Sequence, residues 1–411
     1  MKIFNYIIDV FLIGYSLYFF IFVLLGLFTR KNKEFRAPKN KFAVIIPAHN
    51  EEKVIDKLLS NIKELDYPRN LYDIFVIADN CKDNTAEIAR NAGVNVFTRF
   101  NNIKKGKGYA LKFGLQKLGF LKDNSNYDAA VVFDADNLAK DNFLKAMNTR
   151  LLNGEKIIQA YVDSKNPADN WITATFSMMF WINDRFNLLS RYNVGLSAVL
   201  MGTGMCISSE ALKKTGWNTV TLTEDLEYSI QALGRGIKTT FARETKIFDE
   251  KPLSFRASCR QRLRWARGQL SVTFKYVPSL LYRGLKRGKL AMLDGGIRLF
   301  QQPFIMFYST ITVLRLIFPG IFYSPIFNAI LENLKLLAIV MPFMPFILPS
   351  SVFFLDKLSL KSIKYVIFFP LFMYSWVIIL YWALVTLNEK SWLPTSHSRS
   401  LSKEELLKQT G

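Results

Sequence analysis

Two carboxylates closing a short apolar run give the first indication of chemistry in this sequence. In Ala129-Ala130-Val131-Val132-Phe133-Asp134-Ala135-Asp136-Asn137 the apolar residues read as a buried strand. Strand side chains alternate, so Asp134 and Asp136 are expected to project from one face. Carboxylates held side by side raise each other's pKa unless a cation lies between them. Hard oxygen ligands suit Mg2+ or Mn2+, which keeps part of its water shell and completes it with the phosphates of a nucleotide. For an isolated pair, a polar turn at a strand end is the simpler alternative.

Three other stretches carry chemistry of the same kind. In Lys105-Gly106-Lys107-Gly108 the glycines let the backbone approach a ligand, and Lys107 supplies a point charge for phosphate. A solvated turn would look the same. Thr223-Glu224-Asp225 places adjacent acids before a helix, where an N-cap is the structural alternative. Gln261-Arg262-Leu263-Arg264-Trp265 gathers polar and planar groups on one helix, where the alternative is a basic face turned to a membrane.

The elements that must position these residues follow from periodicity. Phe42 to Pro47 is a continuous apolar run, as in a strand buried on both faces. It ends in Ala48-His49-Asn50-Glu51. A helix is expected over 52–65, a second strand over 74–78 ending at Asp79, a helix over 86–92 and a short strand over 94–98. This alternation is that of a doubly wound α/β sheet, in which ligands lie outside the carboxyl ends of the strands. Residues 171–192, rich in aromatic side chains, read equally as a core helix and as one at a membrane surface.

The chain has 411 residues, is 50% hydrophobic and contains 35 Phe, enough for one large domain plus membrane segments. Val10 to Phe28 is 19 residues without a charge and Tyr365 to Leu387 is 23, each long enough to cross a bilayer core. No small-residue cleavage site follows the first; Thr29-Arg30-Lys31-Asn32-Lys33 does. An uncleaved anchor with a cytoplasmic basic flank is expected. Further apolar segments at 299–331 and 336–355 bring the expected C-terminal spans to three or four. Asp9 and Arg315, charges at or within apolar segments, are expected to snorkel to the interface. Cys81, Cys206 and Cys259 have no metal-ligand spacing and no pairing arithmetic, which fits a reduced compartment. The formal charge is +21, and twelve of the basic residues fall between Lys251 and Arg298 with one acid, Asp294. Their place beside apolar stretches points to anionic membrane lipids; no nucleic-acid motif appears.

Taken together, Asp79, Asp134-Ala135-Asp136, Thr223-Glu224-Asp225 and Gln261-Arg262-Leu263-Arg264-Trp265 resemble the D, DxD, TED and Q(Q/R)xRW set of membrane-integrated family 2 glycosyltransferases, which include cellulose, hyaluronan and poly-N-acetylglucosamine synthases. The 35 residues between Asp225 and Gln261 are similar to that family's spacing. The resemblance covers residues 40 to 300. It implies a GT-A, Rossmann-like nucleotide-sugar domain with a mixed sheet, joined to helical transmembrane segments. The implied organisation is an anchor at 1–30, a cytosolic GT-A domain at 31–266, an interfacial segment at 267–298, membrane helices at 299–390 and a polar tail at 391–411.

By the same resemblance, Pro47, Glu51, Asp79, Lys107, Asp134, Gln261, Arg262 and Arg264 bind a UDP-sugar donor, and Asp136 binds Mg2+ or Mn2+. Asp225, with Glu224 beside it, is the expected general base for transfer with inversion. Trp265, Gly202 and Thr203 line the acceptor site. His49 stands where tyrosine is frequent in the family and reads as a loop residue. The implied activity is extension of a cell-surface polysaccharide at the cell membrane, the alternative being a single addition that makes a glycolipid. A non-catalytic membrane protein with a relic domain is the reading from another class. The motifs do not identify a protein partner.

Overall fold

A computed structural model describes residues 2–29, 34–122, 124–326, 328, 329, 343–389, 401 and 405 of the chain. Its strands are β1 (Phe42–Ala48), β2 (Tyr72–Asp79), β3 (Asn95–Arg99), β4 (Ala129–Val132), β5 (Leu138–Ala139), β6 (Ile157–Ser164), β7 (Met205–Ser208) and β8 (Thr239–Asp249). They form one eight-stranded sheet in the order β3-β2-β1-β4-β7-β6-β8-β5. β1 to β4 pair in parallel, β7 runs antiparallel to both β4 and β6, and β8 is parallel to β6 and antiparallel to β5. The sheet is therefore mixed.

The helices are α1 (Lys2–Gly26), α2 (Ile55–Lys63), α3 (Thr85–Asn91), α4 (Lys107–Lys117), α5 (Phe143–Leu152), α6 (Trp171–Asn183), α7 (Ser190–Asn193), α8 (Ser209–Thr215) and α9 (Glu224–Gly234). They continue with α10 (Phe255–Arg287), α11 (Leu290–Leu299), α12 (Gln301–Ile317), α13 (Met344–Leu355) and α14 (Phe369–Val385). Alternate side chains of the central strands go to opposite layers. Val44, Ile46, Ile74, Val76 and Val131 pack with Ile55, Leu58 and Leu59 of α2 and Phe143 and Met147 of α5. Ala43, Ile45, Ile77, Ala130 and Val132 pack with Leu111 and Leu115 of α4, Leu212 of α8 and Tyr228 of α9. Continuous apolar runs mark β1 and β4 in the sequence because both of their faces are covered.

The structure corrects two expectations, the placing of the acid pair and of Asp9 and Arg315, and decides between two alternatives for residues 171–192. β4 ends at Val132, and the Asn137 N–H donating to the Asp134 carbonyl (3.0 Å) closes a turn, so the acid pair lies in a loop and not on a strand face. Residues 171–192 are core: α6 and the π-helical turn Asp184–Leu189 bury Phe176, Trp181 and Leu188 among β6, β8, α13 and α14. Asp9 and Arg315 do not snorkel. They pair with each other at 2.5 Å across α1 and α12, and the Ser324 hydroxyl also donates to Asp9. Finally, α10 runs unbroken across 266/267, where the sequence suggests a boundary.

Among the described residues two helical stretches, Lys2–Gly26 and Leu360–Val385, are long and apolar enough to cross a membrane. The segment after 299 yields α12, which stops at Ile317 ahead of Pro319, and the described part of 336–355 yields only the 12 residues of α13. Among the described residues, three or four C-terminal spans are therefore not found. The basic flank 30–33, residues 330–342 and the tail from Lys390, with Arg399, Lys403 and Lys408, lie outside the described residues; of that tail only 401 and 405 are described.

The C-terminal segment is tied to the sheet domain by charge. Asp356 accepts from Arg185, from Arg243 at 3.1 Å and from the Tyr161 hydroxyl at 3.4 Å, and both Asp356 and Arg185 are nearly inaccessible. Removing one partner of a buried pair strands the other charge, at a cost of about 3 kcal/mol. Asp356→Ala is expected to lower the melting temperature in detergent by several degrees; an unchanged melting temperature would show that this pair does not hold the segment.

Candidate active site

The carboxyl ends of β1, β2 and β4 open into a cleft of about 1160 Å³, closed on its far side by α9, α10 and α11. Two asparagines at strand ends, Asn50 (φ 58°) and Asn80 (φ 54°), take the left-handed conformation that asparagine tolerates, and so turn the loops back over the sheet edge. Asn50 Oδ1 accepts from Lys82 N and Asn80 Oδ1 from Asn101 N, both at 2.8 Å. His49 Nδ1 lies 2.7 Å from the Asp79 carbonyl, so this histidine stitches β1 to β2 within the cleft wall. The Asp79 carboxylate is paired with Arg99. Burial pushes the Asp79 carboxyl up, while Arg99 draws it back down.

Lys107, the first residue of α4, reaches the middle of the cleft. Its ammonium pairs with Asp134 and donates to the Gly202 carbonyl at 2.9 Å. A Cβ on Gly202 would lie 3.4 Å from Asp225 Oδ2 and 3.5 Å from Lys107 Nζ, and its φ of +87° also favours glycine. Lys107 and Asp225 therefore face each other across this glycine. Burial alone would lower the Lys107 pKa; Asp134, with Glu224 and Asp225, outweighs it and raises the pKa. The neighbouring Thr203 hydroxyl accepts from the Asp134 N–H at 3.1 Å and donates to Asn137, which fixes the acid loop against the 202–204 turn.

Glu224 and Asp225 open α9. Thr223 makes no side-chain cap, so the capping alternative does not apply. The 220–223 loop is instead held by buried Glu227, which accepts from the N–H groups of Val220 (2.7 Å) and Thr221 (2.8 Å) and from the Tyr276 hydroxyl of α10 (2.9 Å). Burial raises the Asp225 pKa. It raises Glu224 to about 7, with the Asp225 charge adding to the shift and Lys107 opposing it.

On α10, Gln261, Arg264 and Trp265 line the cleft. They fall at i, i+3 and i+4, one face of a helix. Arg262 is rotated about 100° away from that face. It is fully buried on the other side, donating to the Phe372 carbonyl (3.2 Å) and Ser375 Oγ (2.7 Å), with Phe372 beneath its guanidinium. The donor-binding role expected for Arg262 is thus corrected: it docks α10 on α14. Trp265 packs edge-on against Phe176 and Phe180, which sets the angle at which it enters the cleft.

Pro47, Glu51, Asp79, Lys107, Asp134, Asp136, Gly202, Thr203, Glu224, Asp225, Gln261, Arg264 and Trp265 all line this one cleft. Asp134 and Asp136 offer hard oxygens, and no group of three His, Cys, Asp or Glu among the described residues could hold an ion. That donor set fits Mg2+ or Mn2+ carried with a diphosphate better than a resident ion. Sequence reading missed Arg99 and Glu227. The parallel register that sets Asp79 opposite Arg99 is a usable signal for the first; no local pattern marks Glu227.

The family model described as "Glycosyltransferase like family 2" matches residues 38–268. Among curated relatives, the probable glycosyltransferase YdaM of Bacillus subtilis is 28% identical over 293 residues, 69% of this chain and 67% of that one. A beta-monoglucosyldiacylglycerol synthase of Trichormus variabilis is 29% identical over 239 residues, 54% of this chain and 48% of its own length. An N-acetylglucosaminyltransferase of Rhizobium meliloti is 25% identical over 263 residues, 59% and 58% of the two chains. Matches thus span about half to two thirds of these relatives. Among solved structures, a mannosyltransferase of Pyrobaculum calidifontis in complex with GDP-Man and Mn2+ superposes with a TM-score of 0.51 at 16% identity, over 78% of this chain and 93% of that one, which shows a shared fold.

Two predictions follow from the geometry around α9. A Cβ on Gly268 of α10 would stand 2.6 Å from Thr223 Cγ2 and 2.9 Å from its backbone nitrogen. Gly268→Ala is therefore expected to push the Glu224–Asp225 turn off α10 and cut turnover at least tenfold while UDP still binds; normal turnover would show that this contact does not set the turn. Glu224 binds its proton more tightly folded than its ordinary 4.5 would allow, so the native protein loses stability as pH rises from about 4.5 through 7. Glu224→Gln is expected to melt higher than wild type at about pH 8 and equally at about pH 4; equal melting at both would refute the shift.

Proposed function

This chain belongs to the glycosyltransferase-like family 2, and from that premise we propose that it transfers a sugar from a UDP-sugar, with inversion, to a growing cell-surface polysaccharide. The observation that carries the proposal is the meeting of Asp134, Asp136, Lys107, Glu224, Asp225, Arg264 and Trp265 in one cleft. Pro47, Glu51 and Asp79 hold the nucleoside at the ends of β1 and β2. Asp134 faces the ribose side, and Lys107, Gln261 and Arg264 bring donors and positive charge to the diphosphate. Asp136, with Asp134, would hold Mg2+ or Mn2+, which supplies positive charge to the departing diphosphate. The P. calidifontis mannosyltransferase, in complex with GDP-Man and Mn2+, is consistent with this assignment.

The Asp225 carboxylate accepts the proton of the acceptor hydroxyl as that oxygen attacks the anomeric carbon. Burial brings its pKa nearer to neutrality, so it takes up that proton more readily than an exposed aspartate. Glu224, against Lys107, keeps the ammonium in place. Trp265 covers the acceptor ring, and Gly202 and Thr203 form the opposite wall. The glycosidic bond of the donor breaks as the new one forms, and UDP leaves with the bonding pair.

We further propose that the catalytic domain is cytosolic and membrane-bound through α1 and the Leu360–Val385 stretch. The apolar side chains that both leave exposed, among them Ile3, Ile7, Val10, Ile378 and Val385, support this. The basic α10–α11 hairpin then faces anionic lipid. A second reading, one sugar added to a lipid, is supported by similarity to the named diacylglycerol-type synthase at 29% identity.

Asp225→Asn is expected to abolish transfer and leave UDP binding nearly unchanged, whereas Asp136→Ala is expected to remove activity and Mn2+-dependent UDP binding together. Titration of UDP with Mn2+ and turnover assays read both; unchanged turnover in Asp225→Asn would overturn the base assignment. A screen of UDP-glucose, UDP-N-acetylglucosamine, UDP-glucuronate and UDP-galactose with mass analysis separates a polymer ladder from a single glycolipid, and no UDP release with any donor would reject transfer from these.

A further inference from the structure

Past Trp265 the cleft lining includes an arm between helices, where Ile230 and Leu233 of α9 and Leu299 of α11 are apolar and Arg267, Gln269 and Arg298 are polar. Its position is set by the antiparallel packing of α10 and α11: Thr273 Oγ1 donates to the Leu299 carbonyl at 2.9 Å. Thr273 is eight residues beyond Trp265, about 12 Å along the helix axis. Two guanidinium side chains reach the cleft from this region. Arg267 is paired with Glu389 at 2.6 Å and donates to Thr386 Oγ1. Arg298, next to Leu299, is not paired: its Nη1 is buried and has no hydrogen-bond partner among the described residues. The nearby carboxylate, Asp294, is already engaged by Arg191 at 3.0 Å and by the Tyr18 hydroxyl.

Behind the cleft wall, the buried Arg191 guanidinium takes up Asp294, and Arg298, half-buried with its Nη1 inaccessible, is left without a carboxylate partner among the described residues. A buried donor left without an acceptor costs about 1–3 kcal/mol, and more when it is charged. An anion in the arm would remove that cost. Ile230, Leu233 and Leu299 give the arm its apolar surface, and α1 is fastened to α11 where its Tyr15 hydroxyl donates to the Ile297 carbonyl at 2.7 Å.

We propose that Arg298 forms an anion subsite on the acceptor side of the cleft, holding a phosphate or carboxylate of an acceptor whose remaining body is apolar. The subsite rests on the reading of the cleft as a transferase site. Its distance from Trp265 means that the anion belongs to a part of the acceptor remote from the hydroxyl that reacts. Such a subsite favours the second reading, in which the acceptor is a lipid, and specifies that lipid as an anionic amphiphile.

The test uses the full chain in detergent. Thermal unfolding is followed with dihexanoyl phosphatidic acid, dihexanoylglycerol and inorganic phosphate, each added to wild type, Arg298→Gln and Arg298→Lys. Phosphatidic acid is expected to protect wild type, and Arg298→Lys in part, with an apparent affinity at least tenfold weaker in Arg298→Gln. Dihexanoylglycerol, which lacks the anion, is expected not to protect. Arg298-dependent protection by inorganic phosphate would assign the subsite to a free anion as well, and protection by phosphatidic acid alone to a lipid headgroup. Equal protection of wild type and Arg298→Gln by phosphatidic acid, or equal protection of wild type by phosphatidic acid and dihexanoylglycerol, overturns the proposal. The second comparison needs no variant and decides the matter even if Arg298→Gln fails to fold. UDP binding, expected to be the same in all three proteins, separates failure of the subsite from failure of the transferase reading.

Discussion

The cleft exists because one ammonium group sits among carboxylates that would otherwise repel each other. Lys107 pairs with Asp134, faces Asp225 across Gly202 and feels Glu224, so charges from the loop after β4 and from the start of α9, with the Gly202 carbonyl, are drawn to a single point. Without that cation, Glu224, Asp225 and Asp134 would crowd a half-buried space with like charge, and the turn into α9 could not close over the sheet edge. Gly202 suits this place through its φ of +87°, which favours glycine, and a Cβ there would lie in contact with both the ammonium and the carboxylate.

Around that point the structure works in two directions. The sheet supplies strand ends that hold one half of a ligand, with Asp79 and the 47–51 loop fixed by His49, Asn50 and Asn80. The long helix α10 supplies the other half and has two faces with different tasks. Gln261, Arg264 and Trp265 look into the cleft, while Arg262 looks away and fastens the helix to α14. A motif contiguous in sequence is thus divided between chemistry and anchorage. The charged pairs Arg185–Asp356 and Asp9–Arg315 do similar anchoring work at the periphery, each joining segments far apart in the chain.

Much of this was readable from the residues. The apolar runs at 42–47 and 129–132 mark strands covered on both faces, and the polar residues that follow them are the cleft edge. The i, i+3, i+4 spacing of 261, 264 and 265 selects the face that enters the site, and by the same periodicity it excludes Arg262. What was not readable depends on contacts between distant segments. Arg99 meets Asp79 only through the parallel register of β2 and β3, and Glu227 gains its role by receiving N–H groups from a loop whose path no local pattern fixes. The acid pair was placed on a strand by counting alternation past Val132, where a turn takes over. Snorkelling to the interface is the local reading of Asp9 and of Arg315 because neither sequence neighbourhood contains the other.

Elements from four separate regions of the chain build one cleft around Lys107, which we propose to hold a nucleotide sugar. A cryo-electron microscopy map of the full chain with UDP and Mn2+ tests it most directly. The account predicts the uracil beside Asp79 and the diphosphate between Asp136 and Lys107, with Asp225 and Trp265 beyond it. Nucleotide density elsewhere on the molecule, or a diphosphate that leaves Lys107 and Asp136 untouched, would contradict it.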